Sequence, residues 1–243
     1  MLGIVNSSYA GITGTMINPA VTVTSPYYLD INILATDIFL ENNYVYLAKE
    51  EYLFRRFFSP NPEFPTHGTD NNLVAYDYYN KKNKKAYANV RVLGPSAAVT
   101  FGKHSFGLIT GARAVVSAKN IPYDLAKFSF EQFEYIPQFD INYIDNQNIS
   151  IAQLAWAEIG FNYSYVFKQQ SLDYWAAGIT IKNLQGYGGS YVNTESADYV
   201  MLEHDTLIVH SLTGEAGYSL PMDYTNNELN HNPLFRGKGI GFD

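Results

Sequence analysis

Two pairs of long alternating runs, each pair joined by a short connection, constrain this chain more than any other feature. The first run, Ala88 to Phe101, meets Gly102-Lys103-His104, and the second follows from Ser105 to Ala118. With Lys103 and His104 as a two-residue turn, Thr100 is expected to face Gly107, Ser96 to face Gly111 and Gly94 to face Arg113. The opposite face then collects Phe101, Val99, Phe106, Leu108, Ala114 and Val116. One face is small and polar and the other apolar; a three-residue turn mixes the two sets and is rejected.

The second pair sorts more cleanly. Ile151 to Phe167 leads into Lys168-Gln169-Gln170-Ser171, and Leu172 to Leu184 follows. Setting Tyr165 opposite Trp175 places Tyr163 by Ala177, Phe161 by Ile179 and Ile159 by Ile181. The same register sets Asn162 by Gly178, Gly160 by Thr180 and Glu158 by Lys182, an opposite-charge pair on the polar face. These runs are 13 to 17 residues long, against about 5–6 in soluble sheets. Their charged residues are Arg91, Arg113, Glu158, Asp173 and Lys182. A tilted membrane strand needs ~9–11 residues, and an Arg or Lys on its lipid face costs about 2–4 kcal/mol near the midplane. Arg113, Glu158 and Lys182 avoid that cost by falling on the polar face, with Asn162 and Thr180 beside them.

On the apolar faces, Phe101, Phe106, Tyr163, Tyr165, Phe167 and Trp175 gather near the two short turns. Rings at one edge of an apolar band are what a membrane–water interface favours. The segments outside the runs are long, at about 50–87, 119–150 and 185–236. Short turns on one side and long loops on the other are the wiring of an outer-membrane barrel, short side periplasmic. An earlier strand is expected from Tyr28 to about Leu47, with Leu29, Ile31 and Ile33 alternating against Asp30 and Asn32, and a sixth begins at Gly237.

Composition fits that reading. Charged residues make up 16% and aromatics 16%, with 47% hydrophobic overall. A net charge of −7 argues against a nucleic-acid partner, because phosphate binding needs a basic face. Cysteine is absent, which removes disulfides, thiolate metal sites and a cysteine nucleophile. No stretch reaches the ~18 consecutive apolar residues of a membrane helix, and the first residues lack the basic and apolar regions of a signal peptide.

Short motifs add a resemblance. Asn18-Pro19-Ala20 resembles the Asn-Pro-Ala lead-in of outer-membrane barrels related to the fatty-acid transporter and to gliding and type IX secretion proteins of Bacteroidota. Leu93-Gly94-Pro95-Ser96, Gly102-Lys103-His104-Ser105, Trp156-Ala157-Glu158-Ile159-Gly160, Leu184-Gln185-Gly186-Tyr187 and the terminal Gly237–Asp243 stretch resemble, more narrowly, one large Bacteroidota barrel family of uncharacterised function. The likeness covers most of the chain from about Ser8. It implies a signal-bearing precursor and further strands beyond Asp243, so residues 1–243 are expected to be a single domain, the N-terminal part of a larger barrel. It carries no catalytic residues over.

Other constellations are weaker. Glu158 and Lys182, with Arg113 on the same wall, suit either a structural ion pair or a lining that orients a solute, and the structural pair is favoured. Lys81-Lys82-Asn83-Lys84-Lys85 suits a solvated loop face better than a lipopolysaccharide site. Gly186-Tyr187-Gly188-Gly189 and the glycines at 237–241 lack the strand–turn–helix context of a phosphate loop and mark hinges or strand bends. Glu203-His204-Asp205 with His210, and Asp140 to Asp145, do not make a convincing metal site, and the five histidines supply no triad.

The expectation is therefore all-β: an incomplete antiparallel up-and-down transmembrane β-barrel of about five to six long strands in a Gram-negative outer membrane. It is non-enzymatic, with no cofactor and no metal. Its partners are the lipid bilayer with lipopolysaccharide, and envelope proteins; its role is solute passage or a secretion and surface-assembly scaffold. The competing reading is a soluble extracellular all-β module that stacks loop tyrosines on carbohydrate.

Overall fold

Alternation of apolar and small or polar residues along the chain produces a predominantly antiparallel sheet. The computed structural model describes residues 5–7, 9–47, 60, 75–131, 135–146, 148–170, 173–202, 206–219, 222–223, 230–231 and 237–243. A 3-10 turn (Gly11–Met16) and a short helix α1 (Val21–Thr24) precede the strands β1 (Leu29–Asn32), β2 (Ala35–Asn42), β3 (Val45–Leu47), β4 (Ala75–Asp77), β5 (Lys84–Leu93), β6 (Ser96–Phe101) and β7 (His104–Ile121). Helix α2 (Tyr123–Phe130) and β8 (Asn142–Asp145) lead into β9 (Ile149–Gln170), β10 (Asp173–Leu202) and β11 (Thr206–Ser219). The short β12 (Met222–Asp223) and β13 (Asn230–His231) pair with each other, and β14 (Gly237–Phe242) returns to the main sheet.

Neighbours in sequence are neighbours in space. β1 and β2 pair with β6 and β5, both of which pair with β7; β7 pairs with β9, β9 with β10, and β10 with β14, every ladder antiparallel. This is an up-and-down meander, and the sheet is not closed among the described residues.

On the turn side of Gly94-Pro95 and in the second hairpin the expected faces are observed, but both registers are shifted by two. Thr100 pairs with Ser105 rather than Gly107, because the turn is Gly102-Lys103. Gly102 takes φ +58 while Lys103 does not, the pattern of a II′ hairpin turn, which puts glycine first. Tyr165 pairs with Ala177 rather than Trp175, since β9 runs on to Gln170 and an irregularity lies between Trp175 and Ala176. Glu158 consequently sits opposite Leu184, and Lys182 opposite Gly160, so the expected facing pair is diagonal.

Four segments differ from the sequence reading. The expected strand from Tyr28 to Leu47 is three pieces, β1 to β3. The expected run from Ala88 to Phe101 breaks at Gly94-Pro95, where proline cannot donate to the ladder. There Thr110 N donates to Ser96 Oγ at 3.0 Å and Gly94 N donates to Thr110 O at 2.8 Å. The break changes the alternation, so Leu93 and Arg91 share a face with Ser96 and Ala98, and Arg113 faces Arg91 rather than Gly94. The expected loop at 185–236 instead continues as β10 to Leu202 and returns as β11, forming a hairpin about 14 residues tall on the upper half of β10. The loop at 119–150 holds α2 and β8. Ala197, Tyr199 and Met201 of β10 bury Phe128 of α2, with Leu125, Phe139 and Tyr143 around them.

Candidate functional site

The two faces of the lower sheet have opposite chemistry. On one face Ser105, Asn162, Ser164 and Thr180 are fully enclosed, and Glu158 and Lys182 are 6% and 8% exposed. On the other, Phe106, Leu108, Ile159, Phe161, Ile179 and Ile181 are all exposed. Among the described residues nothing lies over this second face.

The N-terminal segment covers the polar face. Ile12, without exposed surface, packs on Leu93, Ala98 and Ile109, with Met16 and Ala35 at the margin. Its amide donates to Asp30 Oδ2 at 2.5 Å. The Asn-Pro-Ala motif turns the chain into α1: Asn18 Oδ1 accepts from Ala20 N at 3.0 Å, just ahead of the helix. Asn162 Nδ2 then donates to Pro19 O at 3.1 Å and to Thr180 Oγ1 at 2.9 Å. Thr22 Oγ1 donates to Asn162 Oδ1 at 3.0 Å, so the 2.7 Å bond between Thr22 and Ser164 takes its proton from Ser164. Every polar group in this buried network is satisfied, as burial requires. Gly178 permits the approach: a Cβ there would lie 2.5 Å from Pro19 C and 2.6 Å from Ala20 N, both backbone atoms. Asn162 and Thr180, expected on the polar, lumen-facing side, thus anchor this segment.

Beyond the segment, charged side chains follow one another from strand to strand on the same face. Asp37 of β2 is the register partner of Arg91, Arg91 of Arg113, and Arg113 of Trp156. The Arg113 guanidinium lies 5.4 Å from the centre of the Trp156 ring. Glu158 is opposite Gly111, diagonal to Arg113, and Lys182 forms an ion pair with Asp243 rather than with Glu158.

The six aromatics expected at an interface share the exposed face and meet in clusters. Phe101 packs edge-on to Tyr28 at 5.3 Å, Phe106 lies 5.2 Å from Tyr163, His104 lies 4.8 Å from Tyr165, and Phe167 contacts Trp175 at 6.4 Å. Tyr163 Oη is also 2.9 Å from His104 Nδ1. Phe101, Phe167 and Trp175 are more than half exposed.

The opposite end of the sheet carries a polar cap. Lys127 of α2 donates to Asp77 at 3.1 Å and to Glu131 at 2.5 Å, bonds that hold its ammonium above the usual lysine range although burial works against them. Lys84, from the basic cluster, is buried rather than solvated: it donates to Asn80 and lies over the rings of Tyr44 and Tyr123 at 5.1 and 5.0 Å. Burial lowers its pKa and pushes that of Tyr123 up to about 12, with Asp77 adding to the second effect. Among the described residues no three His, Asp or Glu side chains are placed to hold a metal ion. Glu203, His204 and Asp205 lie outside those residues, and His210 is exposed on β11. No helix among the described residues is long and apolar enough to cross a membrane.

A protein family described as a family of unknown function (DUF5723) matches residues 19–243. No curated protein and no solved structure matches the chain.

Proposed function

We propose, for a chain that belongs to the DUF5723 family of unknown function, that it forms a wall of a transmembrane β-barrel in a Gram-negative outer membrane. Its work there is non-enzymatic: passage of a solute, or a scaffold for secretion or surface assembly, among lipid, lipopolysaccharide and envelope proteins. The supporting observation is the inverted pair of faces. Phe161 is 52% exposed and Ile179 and Ile181 46%, while Asn162 and Thr180 directly behind them are fully enclosed. Water disfavours that arrangement and hydrocarbon favours it. The aromatic clusters at the turn end suit headgroup level, as in the Bacteroidota barrels that the motifs resemble. In lipid the edges of β2 and β14 must also be paired, because no backbone donor can stay open there. The carbohydrate-module reading needs a second layer over Phe161, Tyr163, Ile179 and Ile181, and no described element supplies it.

Ile181→Arg tests the proposal. Ile181 lies beside Phe161 and Phe242, six residues up β10 from Trp175. For the intact chain folded into bilayers, the substitution is expected to cost about 2–4 kcal/mol. Leu212→Arg, on the exposed β11 hairpin, should stay within about 0.5 kcal/mol. Monodisperse intact chain in plain buffer, with both substitutions equally neutral, would overturn the proposal.

A further inference from the structure

Among the described residues, ion pairing along the covered face is incomplete around Arg91, Arg113 and Glu158. Lys182 has Asp243. Asp37 makes an interaction of its own. Arg91 and Arg113, by contrast, face each other directly across the β5–β7 ladder, a like-charge pair that is unfavourable by itself. Among the described residues neither guanidinium makes a hydrogen bond or an ion pair. The Nε of Arg113 is enclosed without a partner, and the ring of Trp156 flanks the guanidinium, so its two terminal nitrogens remain as the available donors. Both arginines are partly exposed, just past the floor made by Ile12 and Leu93. The sequence does not reveal the pair: strict alternation through Gly94-Pro95 sends Arg91 to the apolar face, and only the break in the strand brings it round.

We propose that Arg91 and Arg113 form a binding site for a phosphate-class oxyanion, with Trp156 as its side wall. Two planar donor forks side by side match an anion with three or four oxygens and up to two charges, better than a carboxylate, which one guanidinium satisfies. Glu158, diagonal to Arg113 and in no ion pair among the described residues, is the competing carboxylate that keeps the site from binding indiscriminately. The site deepens the proposed function by naming the class of solute that the wall holds; it rests on that reading only for how the solute arrives.

The chain has two tryptophans, so Trp175→Phe leaves Trp156 as the single tryptophan, excited selectively at the red edge of its absorption. Inorganic phosphate is titrated at constant ionic strength into the intact protein, with sodium acetate as comparator and equilibrium dialysis of labelled phosphate as a second measurement. A saturable change in Trp156 emission is expected, with phosphate at least tenfold tighter than acetate. Arg91→Gln and Arg113→Gln should each weaken it at least tenfold with heat-modifiable migration unchanged, and Glu158→Gln should tighten it. No saturation, equal affinity for acetate, or an unchanged constant in Arg113→Gln would overturn the site. A chain that proves soluble without detergent would overturn the membrane reading instead, and the same titration in plain buffer would still decide the site.

Discussion

Replacing Ile12 with alanine isolates the docking of the N-terminal segment. Ile12 has no exposed surface and rests among Leu93, Ala98 and Ile109. Removing three carbon atoms at about 0.8 kcal/mol each gives ~2.4 kcal/mol before any cavity is counted, and core Ile→Ala changes run from about 2 to 5 kcal/mol. The ladders of β7, β9 and β10 do not depend on that side chain, so the loss falls on docking. At about 1.36 kcal/mol per tenfold, it multiplies the undocked population roughly 60-fold. Native-state hydrogen exchange reads this directly: the amides of Ile12, Thr13, Ile17 and Asn18, all bonded in the docked form, should exchange about 60-fold faster while those of β7 and β9 do not change. Ile17→Ala is the control, since Ile17 is 64% exposed and should shift exchange by less than about 0.5 kcal/mol. Equal effects of the two substitutions, or acceleration spread evenly into β7 and β9, would refute the reasoning.

Three further outcomes are expected. Gly178→Val drives a side chain into the backbone of Pro19 and Ala20 and should strip exchange protection from α1; retained protection would contradict the observed contact. Lys127→Met removes the cation between Asp77 and Glu131 and should destabilise the cap by about 3 kcal/mol, at the low end for a buried pair because the acids are partly exposed. Exchange across Tyr123–Phe130 measures it, and a change under about 0.5 kcal/mol would speak against the pair. Raising pH should loosen the same cap. Tyr123 ionises at about 12 when folded, and a free tyrosine at about 10. Its contribution is therefore complete below pH 10 and is lost as pH climbs from 10 through 12. Tyrosinate absorbance should show a late step that Tyr123→Phe reduces, and a single step near pH 10 would exclude it.

Register and face turn out to be separable. Side chains alternate with a period of two, so sliding a strand by two residues preserves which side each residue faces and changes only its neighbour. That is why Asn162, Thr180, Glu158 and Lys182 share a face as the alternation requires, while the direct pairing of Glu158 with Lys182 does not form. The length of β10 was hidden for a related reason. Beyond Leu184 the residues Gly186, Gly188 and Gly189 and an irregularity in the ladder interrupt the alternating pattern without ending the strand.

Local chemistry thus determined that this chain makes long antiparallel strands and, away from the break at Gly94-Pro95, which of their residues are apolar together, because each depends on neighbours in sequence. The seating of Pro19 against Gly178, the meeting of Arg91 with Arg113 across an interrupted strand, and the capture of Lys182 by Asp243 depend on residues far apart in sequence whose distances are set by accumulated register and bulges. No local period encodes those sums, so only the assembled sheet decides them.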